Sequence, residues 1–292
     1  MNLQNSADTA PWRRIPLEAG RGRFHHPDPR VPSLLDEAEP ATATRLQRSK
    51  ERWEGLAEAS RLAQITVLQH GGHDRPIVTR GGKHLRSRMG SRKTGLQQVV
   101  EGRGHRDLTM FNEVCPAVLD YQAHPFKIEF QLGGDRKVYY PDHIRLLRTG
   151  VIELIEVKRT PADIADPEYR EKLAGVAEIA RRVDWNFRIL YQADIDGPPN
   201  RKANVEAIYM RRFMLLSREE QMAISEFVMA EQPLPWGDLR SRICPGDARR
   251  GQATLYCNVA LGRISIDLDA PITDASIVAP CNPVPTRRGF RI

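Results

Sequence analysis

The chain has 292 residues, of which 40% are hydrophobic, and Lys+Arg (44) exceed Asp+Glu (37) for a formal charge of +7. That length suits about two domains with real cores, and the basic balance favours a polyanionic partner, nucleic acid first. A membrane-spanning chain is excluded by the absence of any apolar run of about 18 residues, and a disulfide framework or zinc site by four scattered cysteines without a CxxC pair.

Residues 1–44 are rich in Pro, Ala and charge with little periodicity, which predicts an extended arm; no partner ligand accompanies His25 and His26 there. Nothing at the start reads as a signal peptide, and reduced thiols fit a cytoplasmic protein. Residues 45–64 read as a packing helix through Leu46, Trp53, Leu56 and Leu62. The window 80–106 is the most basic of the chain, with Arg80, Lys83, Arg86, Arg88, Arg92, Lys93, Arg103 and Arg106 against Glu101 alone. Such a loop repels itself unless phosphates lie nearby, so Arg86, Arg88, Arg92 and Lys93 are candidate contacts to DNA; a solvated basic loop is the bland alternative.

A helix is predicted over 105–121, stopped or kinked by Pro116. Alternation over Phe126–Leu132 predicts a strand, and Gly133-Gly134-Asp135 a tight turn. Tyr139 to Lys158 reads as two strands joined at Thr149-Gly150. On the second strand Glu156 and Lys158 are two apart and share a face, and Asp142 on the neighbouring strand can reach it. Two carboxylates suit a hard divalent ion such as Mg²⁺, with Mn²⁺ able to substitute. The ion activates water and neutralises phosphate charge, while the lysine orients or deprotonates the water or holds the phosphate. The bland alternative is a hairpin with solvated charges. Asp166-Pro167 predicts the start of a helix running to about 183, followed by a strand over Trp185–Tyr191. These elements predict an α/β fold, a mixed sheet flanked by helices on both faces. Beyond 198, helices are predicted at about 201–213, 217–230, 235–243 and 249–261, then a strand over Gly262–Leu268. Three helices and a β wing follow the winged-helix order, with Arg249–Leu261 in the recognition position; a plain helical interaction module is the alternative. The domains expected are an arm with a short helix (1–80), an α/β domain (81–197), a winged-helix-like domain (198–279) and a mobile tail (280–292).

Pro141-Asp142, a spacer and Glu156-Val157-Lys158 resemble the PD-(D/E)xK nuclease superfamily. With Ser91-Arg92-Lys93-Thr94-Gly95, Pro116-Ala117-Val118, His124-Pro125 and Ala260–Leu268, the chain from about 85 to 280 resembles the TnsA-like transposition endonucleases. The resemblance implies a restriction-endonuclease-like fold and a bacterial DNA endonuclease. Such an enzyme cuts one strand of double-stranded DNA at each transposon end, with a DDE-type transposase cutting the other and an ATPase regulator controlling both. It implies metal-binding Asp142, a second ligand Glu156, the backbone carbonyl of Val157 as a further ligand, and catalytic Lys158. A host-defence or repair nuclease of the same superfamily is the alternative that the site residues do not separate. The family also carries a helix glutamate, and counting back thirteen positions from Val118 lands on His105 instead. Three readings stay open: His105 ligates metal or acts as a base; Glu101, one turn earlier on a continuous helix, or Glu113 takes over; or the site is impaired and the chain is a DNA-binding subunit.

Overall fold

A computed structural model describes residues 12–16, 63–68 and 86–281, with the backbone alone given for 12–16 and 66–68. The expected helix over 45–62, His25, His26, Arg80, Lys83 and the tail from 282 lie outside the described residues. Trp12–Pro16 (β1), inside the expected arm, is a strand paired antiparallel with Gln64–Leu68 (β2).

Much of the basic window is a hairpin, not a loop: Arg86–Gly90 (β3) pairs antiparallel with Gln97–Glu101 (β4). The following helix, Arg103–Val114 (α1), ends earlier than the apolar pattern suggests. Cys115 takes extended angles (φ −68°, ψ 117°), as a residue before proline prefers, and Val118–Ala123 (β5) continues as a strand. Phe126–Leu132 (β6) and Asp135–Tyr139 (β7) form a hairpin. Its turn residues Gly133 and Gly134 both have positive φ (59° and 87°), the conformation that a two-residue hairpin turn demands and that glycine adopts without strain. His143–Leu147 (β8) and Ile152–Lys158 (β9) form the next hairpin, as expected. Pro167–Arg182 (α2) starts at the predicted cap, where the Asp166 side chain accepts from the Glu168 N–H, and Trp185–Tyr191 (β10) follows.

Four strands make the central sheet in the order β10-β9-β8-β5; β10 runs parallel to β9 and the other pairs are antiparallel. A second sheet has the order β1-β2-β6-β7. Side chains along β9 alternate between two buried layers. Leu154 joins Phe126, Phe130 and Ile144 against Leu173, Val176 and Ile179 of α2. Ile155 and Val157 pack with Leu108 of α1 and with Ile195 of Gln192–Asp196 (α3). Coverage on both faces is why β9 reads as a nearly continuous apolar run.

Pro199–Tyr209 (α4), Arg218–Ala230 (α5), Trp236–Ile243 (α6) and Ala248–Ala260 (α7) complete the helices, close to their expected limits. The strand expected over 262–268 is reduced to Ile264–Ser265 (β12), which pairs with Ile277–Pro280 (β13); Leu234–Pro235 (β11) pairs with the same strand. The expected boundary at 197/198 falls between α3 and α4, yet one apolar cluster crosses it. Met89, Val100, Met110, Val114 and Ala123 pack with residues from Val205 to Val278, including fully buried Trp236 and Leu255. Helix α7, placed by the sequence in a recognition position, buries Gly251, Thr254, Leu255 and Cys257–Ala260, so its exposed surface lies mainly at Ala248 and Arg249. Among the described residues no helix is long and apolar enough to cross a membrane.

Candidate active site

The β8–β9 ladder pairs His143 with Ile155, which leaves Asp142 one step beyond the last pair, opposite Glu156. Its side chain takes over where the ladder ends: Asp142 Oδ2 accepts from the Val157 N–H at 2.7 Å, and its backbone carbonyl accepts from the His124 N–H at 2.8 Å. The other carboxylate oxygen, Oδ1, lies 4.0 Å from His105 Nε2 in the first turn of α1.

The close approach of α1 to β9 depends on Gly104. A Cβ there would come within 2.9 Å of Val157 Cγ1 and 3.0 Å of Gln192 Oε1. The next residue, His105, is thereby brought beside Asp142, in the pocket where the sequence register put it. Two further histidines complete the surroundings. The His105 ring centroid is 5.5 Å from that of His124 and 5.7 Å from that of His143, both buried.

Glu156 points to the opposite layer, toward α2, and is 3% exposed. Its Oε1 accepts from Lys158 Nζ and from the Tyr169 hydroxyl, both at 2.5 Å, and its Oε2 from the Tyr139 hydroxyl at 2.5 Å. Glu156 and Lys158 thus share a face, as period-two alternation predicts. Asp142 does not lie on that face: it bonds in the plane of the sheet and turns its free oxygen toward α1. Burial pushes the Tyr139 hydroxyl well above its ordinary pKa, and the charges of Glu156 and Asp142 push it further, so one phenol lies within electrostatic reach of both carboxylates. Burial pulls the Lys158 ammonium down, but the Glu156 charge and hydrogen bond more than offset this and hold it above its ordinary value. Lys172 on α2 moves the other way, lowered by burial that the Glu156 charge only partly opposes.

The two alternative acids are elsewhere. Glu101 ends β4 rather than lying on α1, and it pairs with Arg86 at 3.6 Å. The continuous helix that would align it with His105 is interrupted by Gly102 at φ 94°. Glu113 lies eight residues beyond His105, about 12 Å along the helix. It is fully buried and accepts from Ser91 Oγ (2.6 Å), the Arg92 N–H (2.7 Å) and the Tyr121 hydroxyl (2.9 Å).

The basic window also resolves differently from a phosphate-binding loop. Lys93 Nζ donates to the carbonyls of Asn112, Cys115 and Val118 (2.9, 2.6 and 2.8 Å), capping the end of α1, and burial lowers its pKa to about 8. One Arg92 nitrogen donates to the Arg212 carbonyl at 2.8 Å. Of the four expected DNA contacts, Lys93 is thus committed inside the protein and Arg86 to Glu101, while Arg88 and Arg92 are exposed.

Among the described residues no group of three or more His, Cys, Asp or Glu side chains is arranged to hold a metal ion. A smaller set does fit one. Two donors bound to one ion at about 2.1 Å each lie at most about 4.2 Å apart, and Asp142 Oδ1 and His105 Nε2 are 4.0 Å apart. Glu156 has three of roughly four acceptor positions filled, which leaves one on Oε2. Tyr139, Tyr169, His124 and His143 are neighbours of the site that sequence spacing did not single out. Tyr139 and His143 flank the Pro-Asp pair and were within reach of that signal; Tyr169 arrives only through the packing of α2. No family model and no curated protein matches the chain.

Proposed function

We propose that the protein is a metal-dependent endonuclease acting on double-stranded DNA. The observation that carries this reading is the joining of Asp142, Glu156 and Lys158 across one antiparallel hairpin, with the Asp142 carboxylate on the Val157 N–H between the other two. The element order supports it: helix α1, strands β5, β8 and β9, helix α2 and a parallel β10 follow the restriction-endonuclease-like arrangement, with β6–β7 inserted. Beyond residue 217, the order α5, β11, α6, α7, β12, β13 is that of a winged helix. Together with the residue resemblance, this favours the transposition endonucleases over host-defence or repair nucleases, with a DDE-type transposase and an ATPase regulator as partners.

Asp142, the Val157 carbonyl, the open position of Glu156 and His105 would hold the ion. A bound Mg²⁺ or Mn²⁺ supplies charge neutralisation on the phosphate and a more acidic water. Lys158, held protonated by Glu156, acts as a fixed cation for the attacked phosphate rather than as a base. Imidazole is a better ligand for Mn²⁺ than for Mg²⁺, so His105 in place of a carboxylate favours Mn²⁺. The same substitution favours a second reading, a DNA-binding subunit with an impaired site. Supercoiled DNA with Mg²⁺ or Mn²⁺, with and without a cognate transposase, separates them. Asp142→Ala and Lys158→Ala should abolish nicking while DNA binding persists; undiminished cleavage by either variant counts against the enzyme, and no cleavage by the unaltered protein under any of these conditions favours the subunit.

A further inference from the structure

We propose that Tyr139 and Tyr169 are positioning residues of this site, fixing the Glu156 carboxylate so that a single acceptor position on Oε2 faces a divalent cation. The inference rests on the nuclease reading above and adds to it two residues outside the motif. Tyr139 comes from β7 and Tyr169 from α2, so the carboxylate is gripped from two separate elements. Both hydroxyl contacts are at the short end of the range for a phenol donating to an ionised carboxylate.

The arrangement settles three things at once. A carboxylate only 3% exposed stays ionised only if its oxygens are bonded, and here they receive two hydroxyls and one ammonium. Oε1 is filled by Lys158 and Tyr169, so a cation can meet Glu156 through Oε2 alone, one-handed rather than bidentate. Lys158 is steadied as well, because its ammonium lies 5.0 Å from the Tyr169 ring centroid, within cation–π reach. Without the Tyr169 hydroxyl, Oε1 keeps Lys158 but loses the bond that sets the carboxylate's rotation. Without the Tyr139 hydroxyl, Oε2 loses its only protein donor shown here and Glu156 can turn toward Lys158.

Phenylalanine removes each hydroxyl and keeps each ring: the edge contact of Tyr139 with Phe187 and the ring beneath Lys158 both survive. The test uses the full chain and Mn²⁺ itself as the probe. Binding is followed by the electron-spin-resonance signal of free Mn²⁺, and DNA nicking is measured over a range of Mn²⁺ concentrations. Partners that orient a metal ligand typically affect affinity about 10–100-fold. Tyr139→Phe and Tyr169→Phe should each weaken Mn²⁺ binding by about that factor, and nicking should recover at raised Mn²⁺. A purely structural role would lower the melting temperature and leave the affinity of the folded protein unchanged. Unchanged Mn²⁺ affinity in Tyr169→Phe, alongside an unaltered protein that binds Mn²⁺ and nicks DNA, overturns the inference and spares the nuclease reading. An unaltered protein that neither binds Mn²⁺ nor nicks DNA removes both. Should buried Tyr139→Phe fail to fold, the half-buried Tyr169→Phe decides alone.

Discussion

Gly104→Ala is the sharpest test of how the site is assembled. In an ordinary helix this change stabilises by up to about 1 kcal/mol, because alanine has the higher propensity. Here the new methyl would sit 2.9 Å from Val157 Cγ1, too close for either atom to stay where it is. Gln192 can swing its amide away, but Val157 is β-branched, buried and held in β9 between α1 and the sheet. Overpacking of this kind costs about 1–3 kcal/mol, so the net expectation is a loss of about 1–2 kcal/mol. Val157→Ala alone should cost about 1–2 kcal/mol for its lost methyl groups, and its backbone N–H still serves Asp142. In the double variant the clash is gone and the helix gain returns. Gly104→Ala should therefore be neutral or stabilising in the Val157→Ala background, a coupling of at least about 1 kcal/mol. Urea denaturation of the four proteins measures it. Additivity within about 0.5 kcal/mol would refute the claim that α1 rests directly on β9 at this point.

Three further outcomes follow from the same geometry. Asp142→Asn keeps an acceptor for the Val157 N–H, so urea stability should stay within about 1 kcal/mol while Mn²⁺-dependent nicking falls at least about 100-fold; equal loss of both would make Asp142 structural. Lys93→Met strips an ammonium from three carbonyls at the end of α1 and should cost about 2–4 kcal/mol at pH 7 by urea denaturation, with less than about 0.5 kcal/mol contradicting the capping role. Because burial puts the folded Lys93 near 8, below its ordinary value of 10.5, the unfolded chain holds that proton more tightly, and stability should rise with pH between those values in the natural protein but not in the variant. Glu220, which takes Arg250 Nε at 2.5 Å and Thr254 Oγ1 at 2.8 Å, is lowered to about 2, chiefly by the Arg250 hydrogen bond. Its contribution is complete above pH 4.5 and lost as pH falls toward 2; Arg250 is 41% exposed, so screening limits it to about 1–2 kcal/mol. Glu220→Gln should remove that acid-side slope in pH-dependent melts.

Elements with local signals were legible in the sequence. The β6–β7 and β8–β9 hairpins announce themselves through glycine turns between alternating arms, and α2 through Asp166-Pro167. Strand β5 was hidden because its residues extend the apolar spacing of α1, and only Pro116 marks the change. The hairpin β3–β4 was hidden by its charge. A count of lysines and arginines cannot say whether their acceptors are phosphates or the protein's own carbonyls, and for Lys93 they are three carbonyls. At the site, Glu156 and Lys158 were legible because two-residue spacing on a strand fixes a shared face. Asp142 was expected on that face, but the ladder ends before it and its side chain caps the exposed N–H instead. Tyr169 and His124 had no signal at all, since nothing near them in the chain foretells which layer packs on Glu156 or Asp142.

Helix α1 ties these observations to one another. Its first turn holds His105 beside Asp142, and its last turn is held by Lys93 on its carbonyls and by Ser91, Arg92 and Tyr121 on Glu113. Between the two ends, Met110 and Val114 belong to the apolar cluster built from α4 to β13. A helix is stiff along its axis, so a shift at one end is felt at the other over about 12 Å. The position of His105 relative to Asp142 is therefore set by the C-terminal half of the chain as much as by the sheet that carries the acidic residues. That dependence is the physical reason to treat residues 86–281 as one working unit rather than as a nuclease domain with a separable appendage.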